Sequence, residues 1–167
     1  MDDLPGVVFD AGVVLQAGLR PNGPAGRVVG LLDRGFFTLY VCEEGIAEYE
    51  DVLARPSIRR KNPHLTDELV SAIITRVRTY SALLSNVPNH FHYPRDPDDE
   101  HVINLAIEAE ARYLVSRDND LLDLMRDQMF QEHYPGLTIL DPVAFLQALR
   151  LEQPPGLAQP TSSEIER

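Results

Sequence analysis

Short apolar runs alternate along the chain with segments whose apolar residues recur three or four positions apart. Gly6 to Asp10 (GVVFD) is an apolar run that ends in an acid, as expected of a buried parallel strand whose last residue emerges at the sheet edge. Pro21-Asn22-Gly23-Pro24 breaks the chain, and Val28, Val29, Leu31 and Leu32 then predict a helix up to Gly35. Phe37 to Cys42 predicts a second strand. Glu43 to Arg55 predicts a helix with Ile46, Tyr49, Val52 and Leu53 inward, stopped by Pro56. After a basic loop, Arg59-Arg60-Lys61, comes an amphipathic helix. Thr66 caps it, Asp67 and Glu68 suit its first turn, and Val70, Ile73, Ile74, Val77 and Leu84 form its apolar stripe.

The second half repeats the alternation. A loop from Pro94 to Asp98 leads into a helix carrying Val102, Ile103, Leu105, Ala106 and Ala109. Tyr113 to Ser116 predicts a third strand, followed by Arg117-Asp118-Asn119-Asp120 and a helix from Leu121. Leu137 to Leu140 predicts a fourth strand, and Asp141-Pro142 opens a last helix ending near Leu149. Residues 1–150 therefore make one domain, and 151–167, polar and proline-containing, are expected to form a disordered tail. Strands alternating with amphipathic helices imply an α/β fold with a parallel sheet covered on both faces. Ligands of such sheets bind beyond the carboxyl ends of the strands. Asp10 ends the first strand and Asp118 lies just past the third. Glu48 sits on the helix after the second strand, and Asp99 opens the helix before the third. Acids far apart in sequence can thus meet at one edge.

Charge sharpens this picture. The formal net charge is −11, and Lys61 is the single lysine among 15 cationic residues, so no basic footprint for a polyanion is visible. Either the acids form a solvated surface, or some of them are clustered to hold a cation. The single cysteine, Cys42, excludes an internal disulfide and suits a reducing compartment. Met1-Asp2-Asp3 does not begin a signal peptide, and no apolar run approaches membrane-spanning length, so a cytoplasmic location is expected.

Hard cations such as Mg²⁺ and Mn²⁺ take oxygen ligands, commonly carboxylates with waters and substrate phosphate oxygens. A bound metal polarises a phosphoryl group and lowers the pKa of a coordinated water. Each acid also has a plainer role open to it. Glu48 could be a solvated helical residue. Asp96 can cap a helix with Pro97 at its first position, leaving Asp98 and Asp99 to favour the helix dipole. Asp118 and Asp120 could be turn and cap residues. Other constellations are weaker. His90 and His92 share one face of an extended segment, but no third histidine or CxxC completes a zinc site. His101 is expected on a helix surface. Ser116 lacks a placed histidine for nucleophilic catalysis, and no GxxxxGK[ST] loop is present. Arg59, Arg60, Lys61 and Arg117 could contact phosphates.

Five segments carry a family resemblance: VVFDAGVVLQA (Val7 to Ala17), RPNGPAGRVVGLL (Arg20 to Leu32), VCEEGIAEYEDVLARP (Val41 to Pro56), RDPDDEHVINLAIEAEARYLVSRDNDLLDL (Arg95 to Leu124) and LTILDPVAFL (Leu137 to Leu146). Through them the chain resembles the PIN-domain family, close to the VapC-type toxins. The resemblance implies a three-layer α/β/α sandwich with a central parallel sheet and Mg²⁺- or Mn²⁺-dependent cleavage of RNA, leaving 5′-phosphate products. It places Asp10, Glu48, Asp99 and Asp118 on the catalytic acidic positions. Asp10, Asp99 and Asp118 would be metal ligands and Glu48 would orient the attacking water. Glu100 and Asp120 are auxiliary, Glu100 competing with Asp99 as third ligand. It further implies the role of toxin in a toxin–antitoxin pair, with a small antitoxin protein as partner and a homodimer as a common assembly. One departure stands out. Where many members carry Asp-Thr-Asn after the first strand, this chain has Asp10-Ala11-Gly12, so that loop must be held differently. A PIN fold acting as a non-catalytic binding or scaffold module is the alternative. A haloacid-dehalogenase-like phosphatase lacks its second Asp, since position 12 is Gly. A receiver domain lacks a lysine near the acids.

Overall fold

The computed structural model describes residues 4–152. In chain order these form β1 (Gly6–Phe9), α1 (Ala11–Leu19), α2 (Pro24–Gly30), β2 (Thr38–Val41), α3 (Glu43–Ala54), α4 (Pro56–Lys61), α5 (Asp67–Thr79) and β3 (Ser81–Leu83). A short 3-10 turn (Pro97–Asp99) leads into α6 (Glu100–Glu108), then β4 (Tyr113–Val115) and α7 (Asn119–Leu122). A second 3-10 turn (Asp123–Arg126), α8 (Gln128–His133), β5 (Thr138–Leu140) and α9 (Pro142–Glu152) complete the order.

The strands form one parallel sheet in the order β3-β2-β1-β4-β5. The period-two alternation of side chains splits the core in two. Val7 and Phe9 of β1 pack with residues of α1, α2, α3, α5 and α9, while Val8 packs with α6, α7 and α8 on the opposite face. This is the three-layer α/β/α arrangement that the resemblance implies. The chain leaves β1 toward β2 on one side and reaches β4 on the other. The carboxyl ends of β1 and β4 therefore sit side by side where the winding reverses, the place where such sheets bind ligands.

Several elements differ from the expectation. α5 ends at Thr79, and a fifth strand, β3, follows at the sheet edge, so Leu84 is no part of the α5 stripe. The Leu84 N–H instead donates to the Val41 carbonyl (2.8 Å) as pairing runs out. The basic run Arg59-Arg60-Lys61 is helical: Pro56 both stops α3 and starts α4, because a proline N–H is not needed in a first turn. α1 fills residues where apolar side chains on all sides give no amphipathic signal; Ala11, Val13, Val14 and Ala17 are all buried. The helix expected from Leu121 is broken into α7, a 3-10 turn and α8, with Asp127 capping the last piece. α9 continues past Leu149 to Glu152. The expected tail lies, from residue 153 onward, outside the described residues. Among the described residues no helix is long and apolar enough to cross a membrane.

Close backbone approach explains one glycine. A Cβ on Gly26 would lie 2.0 Å from the Pro21 carbonyl oxygen, so only glycine lets α2 fold back against the turn after α1. A second tie bears on the site. Tyr49 of α3 is buried, and its hydroxyl donates to the carbonyl of Phe9, the residue before Asp10 (2.5 Å). Burial pushes the Tyr49 phenol well above its ordinary pKa, keeping it a proton donor. Removing the hydroxyl leaves a buried carbonyl unpaired, so Tyr49→Phe is expected to cost about 1–3 kcal/mol. Urea unfolding of the two proteins checks this. Equal midpoints would show that the bond contributes nothing.

Candidate metal centre

Asp10 is the first residue after β1 and the N-cap of α1. Its N–H donates to the Val115 carbonyl (3.0 Å), which fixes its backbone against β4. Its Oδ1 accepts from the Gly12 N–H (3.4 Å), and its Oδ2 accepts from the Ser116 hydroxyl (2.6 Å). Ser116 is 0% exposed. The same Ser116 Oγ accepts the Asp118 N–H (2.9 Å), so one hydroxyl joins the two strand ends. The Asp10-Ala11-Gly12 loop, which has no hydroxyl or amide side chain of its own, is steadied from the neighbouring strand.

Asp118 caps α7, its Oδ1 accepting from the Asp120 N–H (2.9 Å). Asp99 ends the 3-10 turn before α6, and Asp96 caps that turn through the Asp98 N–H (3.3 Å). These elements converge. Carboxylate oxygens of Asp96, Asp99 and Asp118 all lie within 4.8 Å of one another. Asp10 stands beside them, near enough for its charge to act on Asp99. Sequence reasoning assigned Asp96 only a capping role. It does cap, and its side chain joins the cluster as well; nothing in local spacing reveals the second role. Ser116 did carry a signal, a hydroxyl two residues before an acid at a strand end.

Loop 90–96 is held in place by α6. Asn104, 5% exposed, accepts the N–H groups of His90 (2.8 Å) and Phe91 (2.7 Å) on Oδ1. Its Nδ2 donates to Asn89 Oδ1 (2.8 Å) and the Phe91 carbonyl (3.2 Å), so its hydrogen-bonding groups are all used. Glu100 accepts the Tyr93 N–H (2.9 Å) and pairs with His92 (2.6 Å), an engagement with the loop rather than with the cluster. Asp120 pairs with Arg95 (2.7 Å), and its carbonyl accepts from the Tyr93 hydroxyl (2.7 Å). His90 and His92, expected as an extended pair, go to separate carboxylates, His90 to Glu108 (2.5 Å). His101 is not on an open helix surface. It packs against Glu48, with Nε2 2.6 Å from Oε2. Glu48 borders a cleft of about 930 Å³ between α3 and residues 84–89, also lined by Glu43, Glu44, Asp51, Asp98 and Arg55.

The acids of the cluster act strongly on one another. Burial pushes the Asp99 carboxyl up to about 8, and the charges of Asp10, Asp96 and Asp118 add to it, as does a hydrogen bond with Asp118. Asp10 is likewise raised, chiefly by burial, against the hydrogen bonds from Ser116 and Gly12 that favour its ionised form. Asp99 Oδ2 is buried with no hydrogen-bond partner. An orphaned buried carboxylate oxygen is costly unless a cation or proton meets it, and the all-oxygen donor set fits a hard divalent ion. Asp96, Asp99 and Asp118, with Asp10 adjacent, would hold such an ion.

A raised folded-state pKa has a sign that can be measured. Asp99 ionises near pH 4 when unfolded and near 8 when folded, so between those values the folded chain binds more protons. Its contribution to stability is full below pH 4 and is lost as pH rises toward 8. In chelator, Asp99→Asn is therefore expected to melt above wild type by about 3 °C or more at pH 8.5. The gap should narrow toward pH 5. Melting curves at several pH values check this, and a pH-independent gap would refute the raised pKa.

Comparison with known proteins agrees with this geometry. Residues 6–120 match the family model described as PIN domain. The chain is also 29% identical, over 123 residues, to the uncharacterized protein MJ1680 of Methanocaldococcus jannaschii, covering 73% of this chain and 76% of that one. PIN domains are in general nucleases, and the match spans both strand ends that carry Asp10 and Asp118 together with the turn that carries Asp96 and Asp99. With its parallel sheet, helices on both faces and acids gathered at the β1 and β4 ends, the chain belongs to the PIN domain family.

Proposed function

We propose that this protein is a Mg²⁺- or Mn²⁺-dependent endoribonuclease. The observation that carries the reading is Asp99 Oδ2, buried and unpartnered beside Asp96 and Asp118. Asp10, Asp99 and Asp118 are the metal-holding residues, and Asp96 is added to them on its position. When bound, the cation supplies neutralisation of phosphate charge and activation of water near neutral pH. Ser116 keeps the Asp10 carboxylate turned toward the site, and Glu48 orients the attacking water. Arg117, exposed between Ser116 and Asp118, is the cation we assign to contact a substrate phosphate. The metal also answers the charge problem. A chain of net charge −11 can handle a polyanion where a divalent ion reverses the local sign.

As cellular role we propose the toxin of a toxin–antitoxin pair. The cleft beside Glu48 supports it: the charged residues that line it are mostly carboxylates, which favour a basic segment of a small antitoxin. A homodimer would be compatible with either role.

Purified protein is expected to cleave single-stranded RNA with Mn²⁺ and to stop when EDTA is added. Asp10→Asn and Asp118→Asn should each lower the rate by at least about 100-fold. Undiminished cleavage in EDTA would sink the metal-dependent reading. Metal binding without any cleavage would identify a PIN fold used as a binding module.

A further inference from the structure

His101 is the second residue of α6, directly after the turn that carries Asp96 and Asp99. Its ring is 15% exposed and is held at both ends. Nδ1 lies 2.8 Å from the Asp98 carbonyl, which can only accept, so Nδ1 carries its hydrogen. Nε2 lies 2.6 Å from Glu48 Oε2, an ion pair when the ring is protonated. The ring therefore bridges the metal-holding turn and α3. The neighbouring residue on α3, Tyr49, is tied to the end of β1, and Glu48 lies close enough to Asp10 for their charges to repel. Without His101, Glu48 would be one more carboxylate beside Asp10, and a crowd of that size is what a second divalent cation neutralises.

We propose that His101 is a positioning residue that engages Glu48 and keeps it from metal ligation, so that the centre takes one divalent cation and not two. This rests on reading the acids as a metal centre. Two features make the device work. The Asp98 carbonyl fixes the ring plane, so the imidazole cannot swing away from Glu48 without losing a backbone hydrogen bond. The ring also lies against the Glu48 carboxylate itself, with 15% of the His101 side chain exposed. Glu48 stays free, through its other oxygen, to orient water.

Calorimetric titration of the full chain with Mn²⁺ alone tests this, with the spin coupling of paired Mn²⁺ ions read by electron paramagnetic resonance. Wild type should bind one Mn²⁺ with no coupled-pair signal. His101→Ala should bind a second, with a coupled signal, and His101→Ala combined with Glu48→Gln should lose it again. Glu48→Gln alone, which keeps His101, should bind one Mn²⁺ with affinity within about threefold of wild type, whereas loss of a ligand, or even of a side chain that steadies one, costs about tenfold (~1.4 kcal/mol) or more. Two ions on wild type, one ion on a folded His101→Ala, or a tenfold or greater loss in Glu48→Gln would each overturn the proposal while leaving a metal centre in place. Absence of Mn²⁺ binding in wild type would remove the metal centre and the proposal together. Should His101→Ala fail to fold, the Glu48→Gln affinity still decides.

Discussion

Negative charge is confined at one edge of the sheet, and much of the structure is arranged to tolerate it. Asp10, Asp118 and the turn that carries Asp96 and Asp99 come from separate segments, and the mutual repulsion of these acids opposes the packing that brings them together. What holds them is backbone geometry. β1 and β4 are adjacent in a parallel sheet, so the residues that follow them cannot avoid one another. The hydrophobic cores on both faces supply the free energy, and Asp10 and Asp118 ride on strand ends that those cores fix. Burial and the neighbouring acids raise the Asp99 pKa, and protonation of Asp99 relieves part of the repulsion.

Around this cluster the polar groups have separate tasks. Ser116 links both strand ends with one hydroxyl, and Tyr49 anchors the β1 terminus to α3. Asn104 and Glu100 fasten loop 90–96 to α6, which brings Asp96 into range. Arg95 pairs with Asp120 and Asp123 at the rim, so Asp120 has an exposed partner of its own. These contacts distinguish carboxylates gathered in the cluster from those paired with neighbouring loop side chains. Glu100 and Asp120 belong to the second group, and Glu48 is shared between its histidine and the cleft.

Much of this was legible in the sequence. The runs GVVFD and YLVS mark β1 and β4, and the topology of alternating strands and helices sets their carboxyl ends side by side. β3 was not legible because three residues at a sheet edge carry too little pattern, and Leu84 continues the spacing of the α5 stripe by coincidence. α1 escaped because it is apolar all round. Pro56 was ambiguous by nature, since proline ends one helix and begins the next equally well. In the site, the strand-end acids could be placed from local pattern alone. Asp96 and His101 could not. A cap residue shows its local hydrogen bond in the sequence, whereas its second neighbour depends on how a loop folds back. The burial of His101 depends on how α6 packs against α3.

If Asp99 holds a divalent cation in the proposed site, metal binding must expel the proton that its raised pKa retains near neutral pH. Mn²⁺ titration by calorimetry at pH 7, repeated in buffers of different ionisation enthalpy, measures the protons released per ion bound. Release of about one proton is expected at pH 7, falling toward none above pH 9, because the Asp99 carboxyl is pushed up to about 8. Binding with no proton release at pH 7, or no binding at all, would contradict it.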